Sequence, residues 1–516
     1  MENMFTLLYL TEWQAQENKN QFKFVYGASV KYEVALIEYC IFYLGWEETS
    51  YSQRVRCFDS ITITPERITD HGTKGTLKMK GRDSFSFEEI FTYNQKVINN
   101  KNLAGLAMTG SAINFSFFSR ELILDFPVTR KDVEFLKEMI RINNIEVFVN
   151  SICRRRYEFF KRQYLPYEEE INPQTAEGDT VIVADNIIEN DHEEVKGKGG
   201  VMISSSGGKE SLLSMGIMRQ MNYDVKPFFY NESGAHWLPA KTSYYHFKNI
   251  GLDVMKVWSN TDRYYKKILR NMDIMDKKQI ERKADSYPIQ LFIFPVYLLA
   301  SLPFVYKHGI SNMIMGNEFD DPTAMESYKG IEHYFGVYDQ TWDFAVAFSN
   351  FMESKGLNSK LWSIVYPVFG SVIEKALINE FPDLYSLQRS CHSCKSVKGT
   401  VIPCGKCTKC LGVRMFIENA QGDPTIVHYE KDTESLMRQV EKAKMRLDPD
   451  ELYYLKQYLT KSNRINNHVE GIHLMPGESE TFSLTPSEMR NGFRKFFEKW
   501  TNGTWELTDG KWIRKK

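Results

Sequence analysis

The chain has 516 residues, which at about 150 residues per domain predicts roughly three units. Hydrophobic residues at 42% and charged residues at 25% place it among folded globular proteins and exclude a chain disordered throughout. A formal net charge of −1 excludes recruitment of nucleic acid or anionic membrane by a global field and leaves only local basic faces for that purpose.

Residues 1–14 lack a basic segment followed by an apolar core, so no secretory leader is expected. The span 1–165 reads as an α+β domain, with strands at 22–26 and 60–64 and helical spacing over 132–145 and 150–163. The second of those helices carries Arg154, Arg155, Arg156, Lys161 and Arg162 beside Tyr157, Phe159 and Phe160. Basic residues among aromatics can hold a phosphate backbone. A solvated helix face over an aromatic seam is the favoured reading, and nucleic acid is not a favoured partner. Residues 166–199, with Glu168-Glu169-Glu170, Pro173 and the Lys196–Gly200 run, read as a linker containing one short strand at 180–184.

From 200 to 423 strands and helices alternate. Strands are expected at 201–204, 225–230, 253–258 and 312–315, and helices at 210–221 and 240–249. Alternation of this kind argues for an α/β fold, a doubly wound parallel sheet with helices on both faces and ligands at the carboxyl ends of the strands. The apolar stretch 287–308 begins with a run that approaches membrane-span length, but Gln290, Ser301, Pro288, Pro295 and Pro303 favour a buried helix. Residues 424–516 read as a mainly helical appendage with helices at 434–447 and 449–461. A last helix is expected to open at Thr485-Pro486-Ser487-Glu488 with a capping box.

Two motifs carry chemistry. Ser204-Ser205-Ser206-Gly207-Gly208-Lys209-Glu210-Ser211 lies between a predicted strand and helix. Backbone N–H groups at a helix N-terminus form an anion site, and glycines let the chain approach a phosphate closely. A Walker loop needs glycine where Ile203 stands and Ser or Thr where Glu210 stands, so that class is excluded, as is a G-x-G-x-x-G dinucleotide loop. The second motif is Cys404-Gly405-Lys406-Cys407-Thr408-Lys409-Cys410, preceded by Cys391 and Cys394. Without a leader, clustered cysteines fit a reducing cytosol, and hence a cytoplasmic protein, and read as metal ligands. Four thiolates at this spacing suit a closed, structural Zn²⁺ shell. Cys404, Cys407 and Cys410 belong to it, and either Cys391 or Cys394 completes it. An iron–sulfur cluster is the alternative occupant.

The glycine loop resembles the Ser-Gly-Gly-x-Asp-Ser loop of the PP-loop ATP-pyrophosphatase superfamily, with Glu210 at the usual Asp position. With the knuckle about 180 residues downstream, residues 200–420 resemble the 7-cyano-7-deazaguanine synthase family of queuosine synthesis. That resemblance implies a C–N ligase using ATP, Mg²⁺ and Zn²⁺. A carboxylate or amide oxygen of the acceptor attacks ATP and releases pyrophosphate, and ammonia then displaces AMP. Ser204, Ser206, Gly207, Gly208, Lys209 and Ser211 would hold ATP, with Tyr230, Gly316 and Asn317 framing adenine and the reacting group. Lys209, Glu210 and Ser211 would be catalytic. Ser390-Cys391-His392 resembles the family's Ser-Cys-Tyr, which implies Cys391 as first zinc ligand. His236, Asp320 and Asp321 are further candidates for contact with substrate or metal. The chain departs from the family at 286–290, which lacks an expected basic residue, at 318–321, and in its long flanking regions. Enlarged relatives occur in bacterial anti-phage islands of CBASS and Qat type, where the acceptor is a different one such as a protein, and the flanking regions here are similar in kind. A PP-loop transfer-RNA thiolation enzyme, a non-catalytic ATP sensor and a zinc-ribbon adaptor are the alternatives.

Overall fold

The computed structural model describes residues 50–189, 199–234, 237–282, 289, 292–319, 326–463, 465–474 and 478–515. The chain divides into two units, 1–53 and 54–516. The first lies almost wholly outside the described residues, as does the strand expected at 22–26, and the second is described below.

Ten strands among the described residues form one sheet. They are β1 (Phe58–Thr69), β2 (Gly72–Lys80), β3 (Phe85–Tyr93), β4 (Ser119–Leu124), β5 (Val181–Val183), β6 (Gly200–Ser204), β7 (Val225–Asn231), β8 (Met255–Ser259), β9 (Ile310–Met315) and β10 (Lys360–Ser363). Their order is β10-β9-β6-β7-β8-β3-β2-β1-β4-β5. Pairing is parallel from β10 to β8, antiparallel from β8 through β3 and β2 to β1, and parallel again through β4 to β5. The fold is thus mixed α/β around a large, mostly parallel sheet.

Parallel strands covered on both faces read as continuous apolar runs, and β6 is buried from Gly200 through Ile203. On β7, Phe229 meets Trp237, Tyr244 and Phe247 of helix α4 (Trp237–Asn249; α1 to α3 follow below), while its neighbour Phe228 meets Phe304 on the opposite face. Successive strand residues point to opposite faces, so helices cover both.

The strands of 58–124 share this sheet with those of 200–363. The division expected around 166–199 is therefore not a break in the structure. Within that stretch β5 joins the sheet edge beside β4, and Ile187–Ile188 pairs with Val128–Thr129. Arg54 holds Glu170 through both guanidinium nitrogens at 2.6 and 2.7 Å. Helices tie the two halves as well. Helix α1 (Lys101–Ile113) lies against α6 (Phe294–His308), where a Cβ at Gly110 would come within 3.1 Å of Val296 Cα. Lys355 reaches Asp132, at the start of α2 (Arg130–Glu146), at 3.1 Å; both side chains are wholly buried. A buried pair of this kind is costly to break.

The helix expected over 150–163 ends early. A π-helical segment runs to Arg155, after which Phe160 pairs with Met275 and Lys161 N–H donates to Ile274 O. Tertiary pairing thus overrides the local helical spacing. The apolar stretch 287–308 becomes α6 only from Phe294, and no helix among the described residues is long and apolar enough to cross a membrane.

Helices α3 (Lys209–Gln220), α5 (Thr261–Asn271), α7 (Trp342–Ser354), α8 (Gly370–Glu380) and α9 (Thr408–Asn419) complete the central part. The C-terminal region is not only helical. Besides α10 (Thr433–Lys442), α11 (Pro449–Leu459) and α12 (Ser487–Glu498) it builds a small sheet of β11 (Ile472–His473), β12 (Thr504–Thr508) and β13 (Lys511–Arg514). The capping box expected at Thr485 is absent: α12 starts at Ser487 with Pro486 as N-cap and no side-chain cap bond. The Thr485 carbonyl is instead taken up by Arg490 Nε at 2.9 Å.

Candidate functional site

The loop after β6 is fixed from several sides. Ser205 N–H donates to Phe228 O of the neighbouring strand at 2.8 Å, and Arg389 N–H donates to Gly207 O at 2.7 Å. Gly207 has φ +84°, and a Cβ there would meet Pro239 O at 2.7 Å, so this position requires glycine. Gly208 then adopts an extended conformation as N-cap of α3, and Ser211 Oγ donates back to Gly208 O at 3.1 Å. The N-terminus of a twelve-residue helix is thereby presented at the carboxyl end of a central parallel strand.

Glu210 occupies this helix N-terminus itself. Its carboxylate returns to its own backbone N–H, and a Cβ on Gly208 would lie 2.6 Å from its Oε2. Lys209 Nζ bonds to the Glu210 carboxylate and reaches the Glu318 carboxylate at 2.9 Å. Burial works against the Lys209 ammonium, but the two carboxylates outweigh it and hold the group well above its usual range. Burial also opposes the Glu210 charge, and the Lys209 ammonium more than offsets it, keeping Glu210 below the usual carboxylate value. Among the described residues Lys209 faces both carboxylates and Lys409, further off, faces Glu210, so the cradle can take a divalent cation entering together with an anionic ligand.

Sequence reasoning did not assign roles to several residues that line this place. Gly370, first residue of α8, is so close that a Cβ would meet Lys209 Cε and Glu318 Oε2 at 3.0 Å and Phe416 Cζ at 2.9 Å. Lys209 Nζ stands 4.9 Å from the centroid of the Phe416 ring, which belongs to α9. Glu374, one turn into α8, is buried and accepts from Gln388 Nε2 at 2.9 Å. Burial pushes its carboxyl up to about 8, so the group is neutral at pH 7 and adds no further negative charge beside Lys209. The signal for Gly370 was a glycine directly after Phe369; Glu374 lies in the Glu374-Lys375 helix that forms part of the family resemblance but was given no role, Gln388 carries no motif, and packing brings both near the loop.

Of the other predicted residues, Gly316 and Asn317 follow β9 and do reach the loop. A Cβ on Gly316 would meet Glu210 Cβ at 2.9 Å, while Asn317 Nδ2 donates to Gln340 O and its carbonyl accepts from Ser363 Oγ. Ser204 ends β6, and Ser206 is exposed. Tyr230 is placed differently. Its hydroxyl is engaged with Ser259 Oγ at 2.8 Å and Thr261 Oγ1 at 3.2 Å, and its ring packs on Tyr297 at 4.4 Å. His236, Asp320 and Asp321 lie outside the described residues.

The cysteines converge as a quartet. The Sγ atoms of Cys391, Cys404, Cys407 and Cys410 all lie within 4.8 Å of one another, with separations of 3.7 Å for Cys391–Cys407, 3.7 Å for Cys404–Cys410 and 3.5 Å for Cys407–Cys410. A tetrahedron with metal–sulfur bonds of about 2.3 Å has edges of about 3.8 Å, so the four thiols fit Zn²⁺. Cys394 is not in the quartet, which settles the choice left open by spacing. Cys407 is the N-cap of α9 and Cys410 sits in its first turn, while the hairpin of Lys395–Val397 and Thr400–Ile402 folds the chain back between the ligands. The same helix that holds two of the thiols thus also presents Phe416 to Lys209.

No protein-family model matches this chain, and no curated protein matches it.

Proposed function

We propose that the chain is an ATP-pyrophosphatase of PP-loop type, related to 7-cyano-7-deazaguanine synthases, that activates an acceptor with ATP. The observation that carries this reading is the convergence of its two motifs. Helix α9, opened by Cys407 and Cys410, lays Phe416 over Lys209 of the loop, although the motifs stand about 180 residues apart in sequence. A metal-held helix that braces a phosphate loop gives the zinc a structural role and leaves the chemistry to the loop.

In this reading the N–H groups at the start of α3, with Ser206 and Lys209, hold the β,γ-pyrophosphate; Glu210 and Glu318 would hold Mg²⁺, which would supply charge neutralisation for the departing pyrophosphate. An acceptor carboxylate oxygen attacks the α-phosphorus, forming an O–P bond as the bond to the pyrophosphate oxygen breaks. Ammonia then attacks the acyl carbon, AMP leaves with the carboxylate oxygen, and an amide results after loss of a proton. Most of the rate enhancement comes from fixing the pyrophosphate and neutralising its growing charge. Acceptors of two kinds fit: a deazapurine carboxylate, or a protein in a defence-type system.

The test is pyrophosphate and AMP release from ATP and Mg²⁺ with ammonium and a deazapurine carboxylate or a co-expressed protein, with the acceptor followed by mass. Acceptor-dependent pyrophosphate is the expected result. Failure to bind ATP with Mg²⁺ at all overturns the proposal. Binding without pyrophosphate for any acceptor supports the sensor reading, which the occupancy of the cradle by Glu210 specifically favours.

A further inference from the structure

Helix α5 places Arg263, Lys266, Lys267 and Arg270 on its exposed side, at relative positions 0, 3, 4 and 7. Residues three and four apart are neighbours on a helix surface, so these cations form one stripe about 10 Å long. Together with Asn271 they line an open recess of about 270 Å³. Like charges at this spacing cost the helix a few tenths of a kcal/mol per pair. Asp262 answers Lys266 at 2.7 Å but is itself buried beneath the stripe. Lys267 is used internally: it donates to Ser86 O at 2.8 Å and lies over the rings of Phe85 and Phe87 at 5.3 and 5.8 Å.

The basic residues that sequence singled out behave differently. Arg154 pairs with Glu326 at 2.7 Å, and Arg155 donates to Phe335 O at 2.6 Å. Arg154 anchors the hairpin of Glu326–Tyr328 and Ile331–His333, and Arg155 the segment that follows it. Helix α5 thus presents an external cationic face of its own.

We propose that this face docks the phosphate backbone of a nucleic-acid double helix, with Arg263, Lys266 and Arg270 each neutralising a phosphate. Charge complementarity selects the occupant class, and the surroundings narrow it. No large apolar side chain of α5 is exposed among the described residues. A membrane-bound amphipathic helix needs such groups to insert, and a protein interface needs them at its centre. Single-strand binders stack bases on aromatic rings. Here the nearby rings, Phe85 and Phe87, are covered by the Lys267 ammonium. A duplex contacted only through its backbone remains.

The experiment uses the full chain and a fluorescein-labelled DNA duplex of about 20 base pairs, followed by anisotropy at salt concentrations from about 50 to 200 mM. Three phosphate contacts give a log–log salt slope of about −2.7, an affinity loss of about 40-fold across that range. The Arg263→Gln, Lys266→Gln, Arg270→Gln triple variant keeps Lys267 and its fold, checked by thermal melting, and its slope falls close to zero. The proposal is overturned if the wild-type chain does not bind the duplex at the lowest salt, or if the triple variant binds with an unchanged slope. Tighter binding to the separated single strand, or to phosphatidylserine vesicles, that the triple substitution abolishes also overturns it.

Discussion

The carboxylate of Glu210 sits where an anionic ligand would sit, and its substitution should therefore change sign with the metal. In Glu210→Gln the cradle keeps Lys209 and the α3 N-terminus but loses the internal anion that a ligand must displace. A hydrogen bond to a charged group is worth about 1.5–3 kcal/mol. At about 1.4 kcal/mol per tenfold, the variant should bind metal-free inorganic pyrophosphate about 10- to 150-fold more tightly than the native chain. With Mg²⁺ present the order should reverse, because the variant has lost one of the two carboxylates that would carry the cation. Glu210→Asp separates the two roles. One methylene shorter, it reaches the loop less well but still offers a carboxylate, so metal-free binding should rise while the Mg²⁺ dependence survives. Calorimetric titration of pyrophosphate into the three proteins, with and without Mg²⁺, reads both effects. If Glu210→Gln shifted both affinities in the same direction, or neither, the assignment of the cradle to an anion would be wrong.

Other outcomes follow from the same geometry. Cys407→Ser should abolish stoichiometric zinc and lower the melting temperature, whereas Cys394→Ser, outside the quartet, should leave the zinc content unchanged; elemental analysis with melting curves decides. Gly207→Ala should destabilise by at least about 1–2 kcal/mol in denaturant titrations, because φ is +84° and the backbone oxygen of Pro239 blocks the new methyl. Gly208→Ala keeps an ordinary φ but would push the Glu210 carboxylate off its own N–H and Lys209, so it should cost less than Gly207→Ala in the same titrations. Burial pushes Glu89 up to about 8 from about 4.5, against its bonds from Ser111 and Thr261. Between those values the folded chain keeps a proton that the unfolded chain has released, so stability falls as pH rises, by about 1.4 kcal/mol per unit. Urea melts at two pH values between about 5 and 7.5 should show Glu89→Gln losing that much of the native chain's slope, and an equal slope in both proteins would refute the assignment.

The parallel half of the sheet was legible because its signals are local. A buried apolar strand, a serine-glycine turn and a helix start leave their marks within a dozen residues, and β6, the loop and α3 lie where the text puts them. The cysteine quartet was legible for the same reason: spacing left Cys391 and Cys394 open, the resemblance at Ser390-Cys391-His392 pointed to Cys391, and the fold-back at the hairpin around Lys398 and Gly399 puts that thiol in the quartet. Long-range pairing was not legible. Nothing in the sequence of β3 says that Thr92 will face Trp258 across an antiparallel ladder, so the outer strands read as a domain of their own. The helical spacing after Asn150 was real but outweighed by the bridge from Phe160 to Met275. Glu318 reaches Lys209 from beyond a strand end while Glu374, on a helix, comes near enough only to feel its charge, and only the folded sheet brings them there.

These long-range joints explain why the flanking regions are not simple appendages to the loop after β6. Glu451 of α11 is wholly buried and accepts from both the backbone N–H and the hydroxyl of Ser371 at 2.7 Å, which makes the C-terminal region the cap of α8. The residue before Ser371 is Gly370, whose backbone presses on Lys209 and Glu318. His473 of β11 stacks on Phe319 at 4.1 Å and holds the strand-end segment that carries Glu318. From the other side, α1 packs on α6, which leads into β9 and Gly316 beneath Glu210. Each carboxylate partner of Lys209 is therefore held by contacts that run outside residues 200–423. A loop whose lysine is balanced between two carboxylates needs both of them held to within a fraction of an ångström, because charge-assisted bonds weaken steeply with geometry. The flanking regions supply that constraint, and the central sheet is the element through which both of them act on one side chain.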